Sequence, residues 1–475
     1  HNTHPLLVCS RGSRMGTQDL VSPCLRERER QKENHIAPTN TPTYPLPLSP
    51  PTEDMYTLVL GALLGVCGSL VFLSRHNNST ASHESGDGVP SAEQRRFSAN
   101  YLLVYLLMNG ADWLQGPYVY DLYQAYGFSR GEIGLLFIAG FGSSFLLGTF
   151  IGSLVDTIGR KKGAVMFGII YSVGCLTKHF NSFSILLVGR VLSGVATSLL
   201  FSTFESWMVH EHHARGFPSS GLDSLFSRCT FWNSIVAIAA GVVAYLGKDL
   251  LGPVAPFDFS MIVLLIGTGV VLTSWKENFG NSNLDAIDSF KKALKHLRTD
   301  IRIPLLGLTQ GFFEAAMYIF VFMWTPTLSQ FDDAIPHGLV FSSFMVCVMI
   351  GSNVFSLLRK LLTVDVIMLI LLSVTLICML VPIVSTSLGP VFCSFLMFEV
   401  CVGLFWPAVS TLRSEIIPDE CRSTIMNIFR LLLNGIVVIV LLKIGDMTIA
   451  SVFMWCTLSV LLSGVCQLVV YMKNQ

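Results

Sequence analysis

The chain has 475 residues, of which 52% are hydrophobic and 13% are charged, about half the charged fraction of an average soluble domain. Lys plus Arg equals Asp plus Glu at 31 each, so the charge balance does not favour a nucleic-acid partner. Apolar runs of roughly 17 to 25 residues recur, which is the length that a helix needs to cross a bilayer. The composition excludes a soluble globular domain and predicts an all-α polytopic membrane protein.

The N-terminal part of the chain changes character at Met55. Residues 1–54 are polar and Pro-rich and contain the run RERERQKE, so we expect a disordered or non-native extension there. Met55 opens a long apolar run, which we interpret as an extra transmembrane helix. Together with the polar linker that follows, it occupies residues 55–98.

Twelve further helices are predicted, in two groups of six. The first group forms an N-terminal half over 99–274, with helices near 99–121, 132–155, 163–178, 183–208, 223–247 and 255–274. The second group forms a C-terminal half over 303–475, with helices near 303–328, 337–359, 364–384, 388–410, 422–444 and 447–472. Between them, the apolar and basic residues of 275–302 alternate at helical spacing, which predicts an amphipathic linker helix on the membrane surface. Two related six-helix halves predict a substrate site between them.

Basic residues gather at alternate ends of these helices, which predicts the orientation of the chain. Lys and Arg near helix ends favour the cytoplasmic side, so the 99–121 helix is expected to begin inside and the central linker to be cytoplasmic. The cytoplasmic segments then hold Arg75, Arg95, Arg96, Arg160, Lys161, Lys162, Arg215, Lys276, Lys291, Lys292, Lys295, Arg298, Arg302, Arg359, Lys360, Arg413, Arg422 and Lys473. The opposite side holds Arg130, Lys178, Lys248 and Lys443.

A charged motif lies between the second and third helices of the first half. The stretch GSLVDTIGRKKG begins at Gly152, and its G-x-L-x-D-x-x-G-R-K spacing resembles the signature of the major facilitator superfamily. Gly152 and Gly159 allow close helix approach and a turn. Asp156, Arg160 and Lys161 can form ion pairs that close one side of the protein in one state, which predicts a gating role. The alternative is that the basic residues only set the topology.

Longer stretches carry a more specific resemblance. They are NYLLVYLLMNGADWLQGPYVYDLYQAYGFSRGEIGLLFIAGFGSS, VGRVLSGVATSLLFSTFESWMVHEH, FEAAMYIFVFMWTP, CVGLFWPA and RSTIMNIFR. Together they resemble the eukaryotic molybdate-anion transporter family of that superfamily over nearly the whole chain after Met55. Their sequence is most similar to the plant members of that family. The resemblance implies the major facilitator fold, two six-helix halves plus one N-terminal helix, and uptake of molybdate, a tetrahedral oxyanion, without a cofactor.

Several ionisable residues fall inside the predicted helices, independently of that resemblance. Each costs about 2.5 to 3.5 kcal/mol near the bilayer centre, so each is expected to be paired or functional. Arg190 and Arg430, one from each half, are candidates for an anion clamp because a guanidinium offers paired donors to oxyanions. Asp112, Glu314 and Glu399 are candidates for proton coupling or charge pairing. The alternative is a set of structural ion pairs, Asp112 with Arg190, and Arg430 with Glu399 or Glu314.

Polar side chains at similar depth complete the predicted site, although each could instead serve helix packing. They are Asn109, Gln115, Tyr118 and Trp406. No catalytic triad, metal cluster or phosphate-binding glycine loop is recognisable, so we expect neither an enzyme nor an ATP-driven pump. The alternatives are a transporter of sulfate or another anion, and a non-transporting receptor or scaffold. We further expect proton symport, lipid as the other partner, a monomer, and the plasma membrane or an endomembrane.

Overall fold

The computed structural model describes residues 53–79, 91–280, 286–332, 335–418 and 422–474. Within these ranges the regular structure is helical and no strand occurs. The extension expected over 1–54 lies outside the described residues, except for Glu53 and Asp54, which begin the first helix. The predicted all-α class is confirmed.

The first helix and the N-terminal half follow one another in chain order. Helix α1 covers Glu53–Ser79. The N-terminal half consists of α2 (Ala92–Gln115), a 3₁₀ turn (Gly116–Tyr118), α3 (Val119–Ala125), α4 (Arg130–Ile158), α5 (Arg160–Leu176), a second 3₁₀ turn (Thr177–His179), α6 (Phe183–Ala214), α7 (Ser219–Leu251) and α8 (Ala255–Ser274).

The linker and the C-terminal half account for the remaining described helices. The linker contains α9 (Ala286–Thr299), and the half consists of α10 (Arg302–Ser329), α11 (His337–Leu358), α12 (Val364–Val384), α13 (Leu388–Ile416), α14 (Arg422–Lys443) and α15 (Ile449–Asn474). In the described part of the chain, ten helices are long and apolar enough to cross a membrane.

Helix ends differ from the prediction where helices continue past their apolar stretch. The helices predicted to end at 208 and 410 extend to Ala214 and Ile416. Hydropathy marks only the part of a helix that lies in hydrocarbon, whereas backbone hydrogen bonding continues into the polar ends. The helix predicted at 99–121 begins earlier, at Ala92 behind the capping side chain of Ser91, and is interrupted next to Pro117.

The two halves meet mainly along two helix pairs, α4 with α14 and α7 with α11. Helix α1 is an addition that packs on α11. Its Tyr56 is buried, with its ring edge-on to Phe392 at 5.3 Å, whereas Leu58 and Phe72 are exposed. Large exposed apolar side chains on a membrane helix are expected to contact lipid. One face of α1 therefore binds the C-terminal half and the other faces the bilayer.

The bundle has two ends, which we call the basic end and the opposite end. The basic end carries the α4–α5 loop and the starts of α10 and α14, and the opposite end carries the α3–α4 turn and the start of α11. The linker helix α9 contacts α10 and α14 and buries Ala293. It is therefore attached to the C-terminal half.

At the start of α10, the carboxylate of Asp300 accepts from the backbone N–H of Arg302 at 2.9 Å and from its guanidinium. These hydrogen bonds hold the pKa of Asp300 below its ordinary value. A carboxyl group with a lowered pKa stabilises the fold above its unfolded-state pKa and loses that contribution as the pH falls through the folded-state value. The stabilising contribution of Asp300 is therefore present at neutral pH.

Candidate anion site between the halves

Asp112 and Arg190 lie in one polar cluster of the N-terminal half. Asp112 is in the last turn of α2, where its carboxylate accepts a hydrogen bond from the hydroxyl of Tyr171. Arg190 lies seven residues into α6 and acts electrostatically on Asp112. No carboxylate of the described residues is at ion-pair distance from Arg190. These contacts therefore do not show a structural ion pair between Asp112 and Arg190, which was the alternative.

The Arg190 side chain is held flat against α4. Its Nε donates to the carbonyl of Leu136 at 3.3 Å, and its guanidinium lies 4.7 Å from the centre of the Phe137 ring. Gly140 makes room for it, since a Cβ at this position would lie 2.7 Å from a terminal guanidinium nitrogen. The terminal N–H groups have no acceptor among the described residues. Unfilled, charged donors of this kind are what an oxyanion binds.

A second cluster lies in the C-terminal half. The carboxylate of Glu314 in α10 accepts from Gln310 at 2.8 Å. Arg413 of α13 and Arg430 of α14 both act electrostatically on Glu314. Arg430 is exposed, and no described carboxylate is at ion-pair distance from it. Two cations thus share one carboxylate, and Arg413, which the sequence assigned only to a cytoplasmic segment, belongs to this cluster.

Four rings join the two clusters, and we call them the aromatic bridge. Phe137 of α4 meets Phe322 of α10 edge-on at 5.0 Å, and Phe141 meets Tyr318 at 5.2 Å. Arg190 lies against Phe137, and Tyr318 is electrostatically coupled to the C-terminal cluster. Edge-to-face rings at these distances pack favourably. The bridge is therefore a direct contact between the halves, with a cationic cluster on each side.

The two arginines lie at different depths. Arg190 is level with Phe137, on the side of the bridge nearer the opposite end. Glu314, on which Arg430 acts electrostatically, is four residues before Tyr318 in α10, about 6 Å nearer the basic end. The sequence placed both arginines near mid-depth, because helix length alone does not reveal how neighbouring helices are offset.

Contacts between the halves close the bundle at the opposite end. The hydroxyl of Tyr118 accepts from the backbone N–H of Gly338 at 3.1 Å, so this predicted anion ligand is fully buried in the closure. Asp121 accepts from Lys248 at 2.6 Å and lies 3.7 Å from the His337 ring of the other half. Polar and backbone groups of α7 and α11 are thus already paired here.

The remaining predicted site residues lie outside both clusters. Asn109 donates to a carbonyl one turn back in α2, and Gln115 donates to Ser260 at 2.9 Å. Trp406 is 40% exposed and its ring contacts that of Phe405, the preceding residue in α13. Glu399 is 6% exposed. No described contact joins any of these four to Arg190 or to the C-terminal arginines, so Glu399 is not the carboxylate that faces Arg430.

The signature motif is fastened within the N-terminal half. Asp156 and Arg160 form an ion pair at 2.8 Å. The backbone N–H groups of Lys161 and Lys162 donate to the carboxylate of Glu277 at 2.7 and 3.3 Å. A carboxylate at a helix N-terminus satisfies free N–H groups and complements the helix dipole. In this conformation the motif therefore holds the start of α5 and makes no described contact with the other half.

The segment that fastens the motif was expected to be only linker. The ring of Trp275 stacks on Trp207 at 3.7 Å, and the carbonyl of Asn278 accepts from the backbone N–H of Arg160 at 2.9 Å. The feature of the sequence that could have indicated this packing is the Trp and the Asn of WKENFG, which lie within a charged stretch. The remaining motif residue, Gly152, lies in α4, and its surroundings fall outside the described part of the chain.

Replacing Gly159 with alanine is expected to destabilise this fastening. Gly159 has a φ of 114°, and a Cβ there would lie 2.4 Å from the carboxyl carbon of Glu277. Gly127 is the matched control, because it has a φ of 86° but nothing within 4 Å of its Cβ position. Backbone strain of about 1–3 kcal/mol affects both variants, and the clash affects only the first. Thermal unfolding in detergent should show a larger loss for Gly159→Ala, and equal losses would contradict the contact.

A cavity of about 540 Å³ lies at the basic end beside the motif. Arg160, Glu205, His210 and His213 are among its lining residues. Its polar lining contrasts with the paired contacts of the opposite end. This cavity is lined by the N-terminal half and the segment after α8, whereas the described contacts between the halves lie at the bridge and at the opposite end.

Comparison with known proteins agrees with this architecture. A family model described as sugar transporters with twelve transmembrane helices matches residues 55–405. The molybdate-anion transporter of Xenopus laevis is 33% identical over 430 residues, which cover 86% of this chain and 93% of that protein. The molybdate-anion transporter of Takifugu rubripes is 35% identical over 407 residues, covering 78% of this chain and 84% of that protein.

Solved structures share the fold at low identity. The nucleoside transporter NupG aligns with a TM-score of 0.60 and 15% identity, over 80% of this chain and 99% of that chain. The inward-open xylose transporter XylE from E. coli aligns with a TM-score of 0.61 and 13% identity, over 80% and 95%. Identities this low support the fold and nothing about substrate.

The two six-helix halves and these likenesses define the class. The protein is a multi-pass membrane transporter with the major facilitator fold, and it is not an enzyme. Within that class, the chain belongs to the molybdate-anion transporter family. The resemblance read from the sequence is therefore confirmed at the level of fold and family.

Proposed function

We propose that this chain carries molybdate, a tetrahedral oxyanion, across a membrane by alternating access of its two halves. The observation that supports it most is the pair of arginines on facing halves, Arg190 and Arg430, which have no carboxylate at ion-pair distance among the described residues. A planar guanidinium can donate to two oxygens of such an anion at once. Relatives at 33% and 35% identity are named molybdate-anion transporters.

The conformation suggests the order of events. The distribution of basic residues assigns the basic end to the cytoplasm, so the closure around Tyr118 and Gly338 seals the external side. We infer that Arg190 receives the anion when that side is open. Rocking of the halves then passes the anion across the aromatic bridge to Arg430, from which it leaves to the cytoplasm. Asp112 and Glu314 compensate the arginines when no anion is bound.

Proton symport through Glu314 is part of this proposal. Arg430 and Arg413 face Glu314, whereas no described cation acts on Glu399. An anion bound at Arg430 takes over the role of counter-charge, so Glu314 gains a proton as the anion arrives. External acidification should accelerate uptake by the wild type. Glu314→Gln should remove that response and Glu399→Gln should keep it, as measured by pH jumps during uptake. Flux that ignores the proton gradient in the wild type would contradict symport.

The proposal is tested by molybdate uptake in cells that lack their own carrier. Cells with the wild-type chain should accumulate molybdate above empty-vector cells, and excess sulfate should compete weakly. Sulfate is the second candidate, because it is also a tetrahedral dianion. We place the protein in the plasma membrane, and surface labelling would check this location. We further propose that it is a monomer. Surface-expressed protein without accumulation of either anion would overturn transport and favour a receptor or scaffold.

A further inference from the structure

A second cavity, which we call the outer cavity, lies at the opposite end of the bundle and has walls from both halves. Its lining residues include Tyr120, Gln124 and Arg130 of the N-terminal half and Ser329 and Gln330 of the C-terminal half. A water molecule occupies about 30 Å³ of liquid, so the cavity volume of about 320 Å³ holds a tetrahedral oxyanion together with several waters. The transport cycle proposed above does not use this cavity.

Arg130 is the one charged residue among the described residues that line the outer cavity. One terminal nitrogen of its guanidinium donates to the carbonyl of Met447, in the loop between α14 and α15 of the other half. Its other N–H groups have no acceptor among the described residues, and none of their carboxylates is at ion-pair distance. The nearby Glu132 is used in the cap of α4, where it accepts from the backbone N–H and the hydroxyl of Ser129 at 2.8 and 2.7 Å. The cavity therefore presents a guanidinium with free donors.

Direct ring contacts connect the outer cavity to Arg190. Tyr120 of the cavity wall meets Phe322 of the aromatic bridge edge-on at 5.2 Å. Phe322 meets Phe137 at 5.0 Å, and the guanidinium of Arg190 lies 4.7 Å from the centre of the Phe137 ring. Arg130 precedes Phe137 by seven residues, about 10 Å along the axis of α4. Two ring contacts thus separate the cavity wall from the ring on which Arg190 lies.

The position of the cavity between the halves links it to the opening of the external side. Its two walls belong to different halves, so they separate when the halves rock apart at this end. The hydrogen bond from Arg130 to Met447 also joins the halves, so opening releases a further donor. The cavity is therefore a place where an anion can wait outside the closure and gain access to Arg190 when the closure opens.

We propose that the outer cavity is a collecting site for external tetrahedral dianions, where Arg130 holds the hydrated anion before it moves on to Arg190. The amides of Gln124 and Gln330 supply neutral donors on facing walls. This inference rests on the proposed function, because it assigns the opposite end to the outside and concerns entry of the same anion. It adds a binding site that precedes the pair Arg190 and Arg430.

The first test measures protection of a cysteine in the cavity wall, without measuring transport. Gln330→Cys is labelled from outside with an impermeant thiol reagent, with and without molybdate, at ionic strength held constant with chloride. Molybdate at twice its Kd should slow the reaction about threefold, because about one third of the sites stay free. Thr386→Cys, in the exposed turn between α12 and α13 at the same end, is the control and should not be protected. Labelling of the chain without the new cysteine is subtracted, since Cys393 is exposed.

Two further variants separate the collecting site from the inner site. Gln330→Cys should lose its protection by molybdate in the Arg130→Gln background and keep it in the Arg190→Ala background. Protection that survives Arg130→Gln, or that disappears with Arg190→Ala, would overturn the inference. Failure of the proposed function looks different, since the wild type would then accumulate no molybdate while protection of the cysteine is still measurable.

Uptake kinetics give a second readout that a merely structural role of Arg130 would not produce. Arg130→Gln should raise the KM for molybdate about threefold, with the maximal rate retained, because a charge at the rim of a site mainly affects association. The difference from the wild type should shrink at high ionic strength, since salt screens such charges. A lowered maximal rate with an unchanged KM at every ionic strength would assign Arg130 to the closure alone.

Discussion

Replacing Arg430 with alanine is expected to reduce molybdate uptake at least about 30-fold, the loss typical when one partner of a close charge pair is removed. Arg430 is exposed, its guanidinium has no described carboxylate at ion-pair distance, and it lies on the side of the aromatic bridge that faces the basic end. Removal of its charge leaves Arg413 alone to offset Glu314. The anion then meets a site with no net positive charge.

Arg190→Ala should have a comparable effect for a different reason. Its guanidinium is fixed by Leu136 and Phe137, so the donors are already oriented before the anion arrives. Preorganised donors lose little entropy on binding, and truncation removes the whole benefit. The two variants should also differ from each other. Arg190→Ala should mainly impair uptake from outside, and Arg430→Ala should mainly impair release measured as counterflow from preloaded cells.

Arg228→Ala is the matched control for both arginine variants. Arg228 is exposed near the start of α7, and no described carboxylate is at ion-pair distance from it, so it is expected to extend to the interface. Uptake by this variant should stay close to that of the wild type. Arg430→Lys should retain only part of the activity, because an ammonium cannot donate to two oxygens in a planar fork. Near-normal uptake by both alanine variants would contradict the anion site.

The sequence predicted the helices well because apolar length is a local property. Every predicted core crossing has a helical counterpart, and the extra helix begins at Glu53, next to the expected Met55. Residue chemistry alone proposed Arg190, Arg430 and Glu314 as site candidates, since a charge inside an apolar run is rare and costly. These predictions needed no knowledge of which helices are neighbours.

Neighbour relations explain what the sequence did not reveal. Lys178 follows a helix like any surface lysine, and only its packing against Tyr123 and Phe257, which are 55 and 79 residues away in the chain, makes it buried. Glu277 looks like a linker carboxylate until the fold brings it to the start of α5. Tyr118 had the chemistry of a ligand, yet it pairs with Gly338 in the closure. Offsets between helices and long-range pairings are tertiary properties, so spacing alone does not determine them.

Gly338 offers a direct way to test the closure at the opposite end. A Cβ at this position would lie 2.3 Å from the carbonyl oxygen of Gly241 and 2.7 Å from the Cβ of Tyr245, both in the other half. Gly338→Val should therefore prevent α7 and α11 from meeting as they do here. Each half packs on its own core, so the variant should remain folded and inserted. Overpacking costs about 1–3 kcal/mol, which lowers the population of the closed state by about 5- to 150-fold.

Transport should fall with that population, because alternating access requires the external side to close once in every cycle. A cysteine at Ser342 reports the state, since this side chain is fully buried and donates to the carbonyl of Ile238 at 2.8 Å. Ser342→Cys should resist an impermeant thiol reagent in the wild-type background and react from outside in Gly338→Val. Gly464→Val, at a position with nothing within 4 Å of its Cβ, is the control and should change neither uptake nor labelling. Unimpaired uptake by Gly338→Val, with Ser342→Cys still protected, would show that this contact is not the external gate.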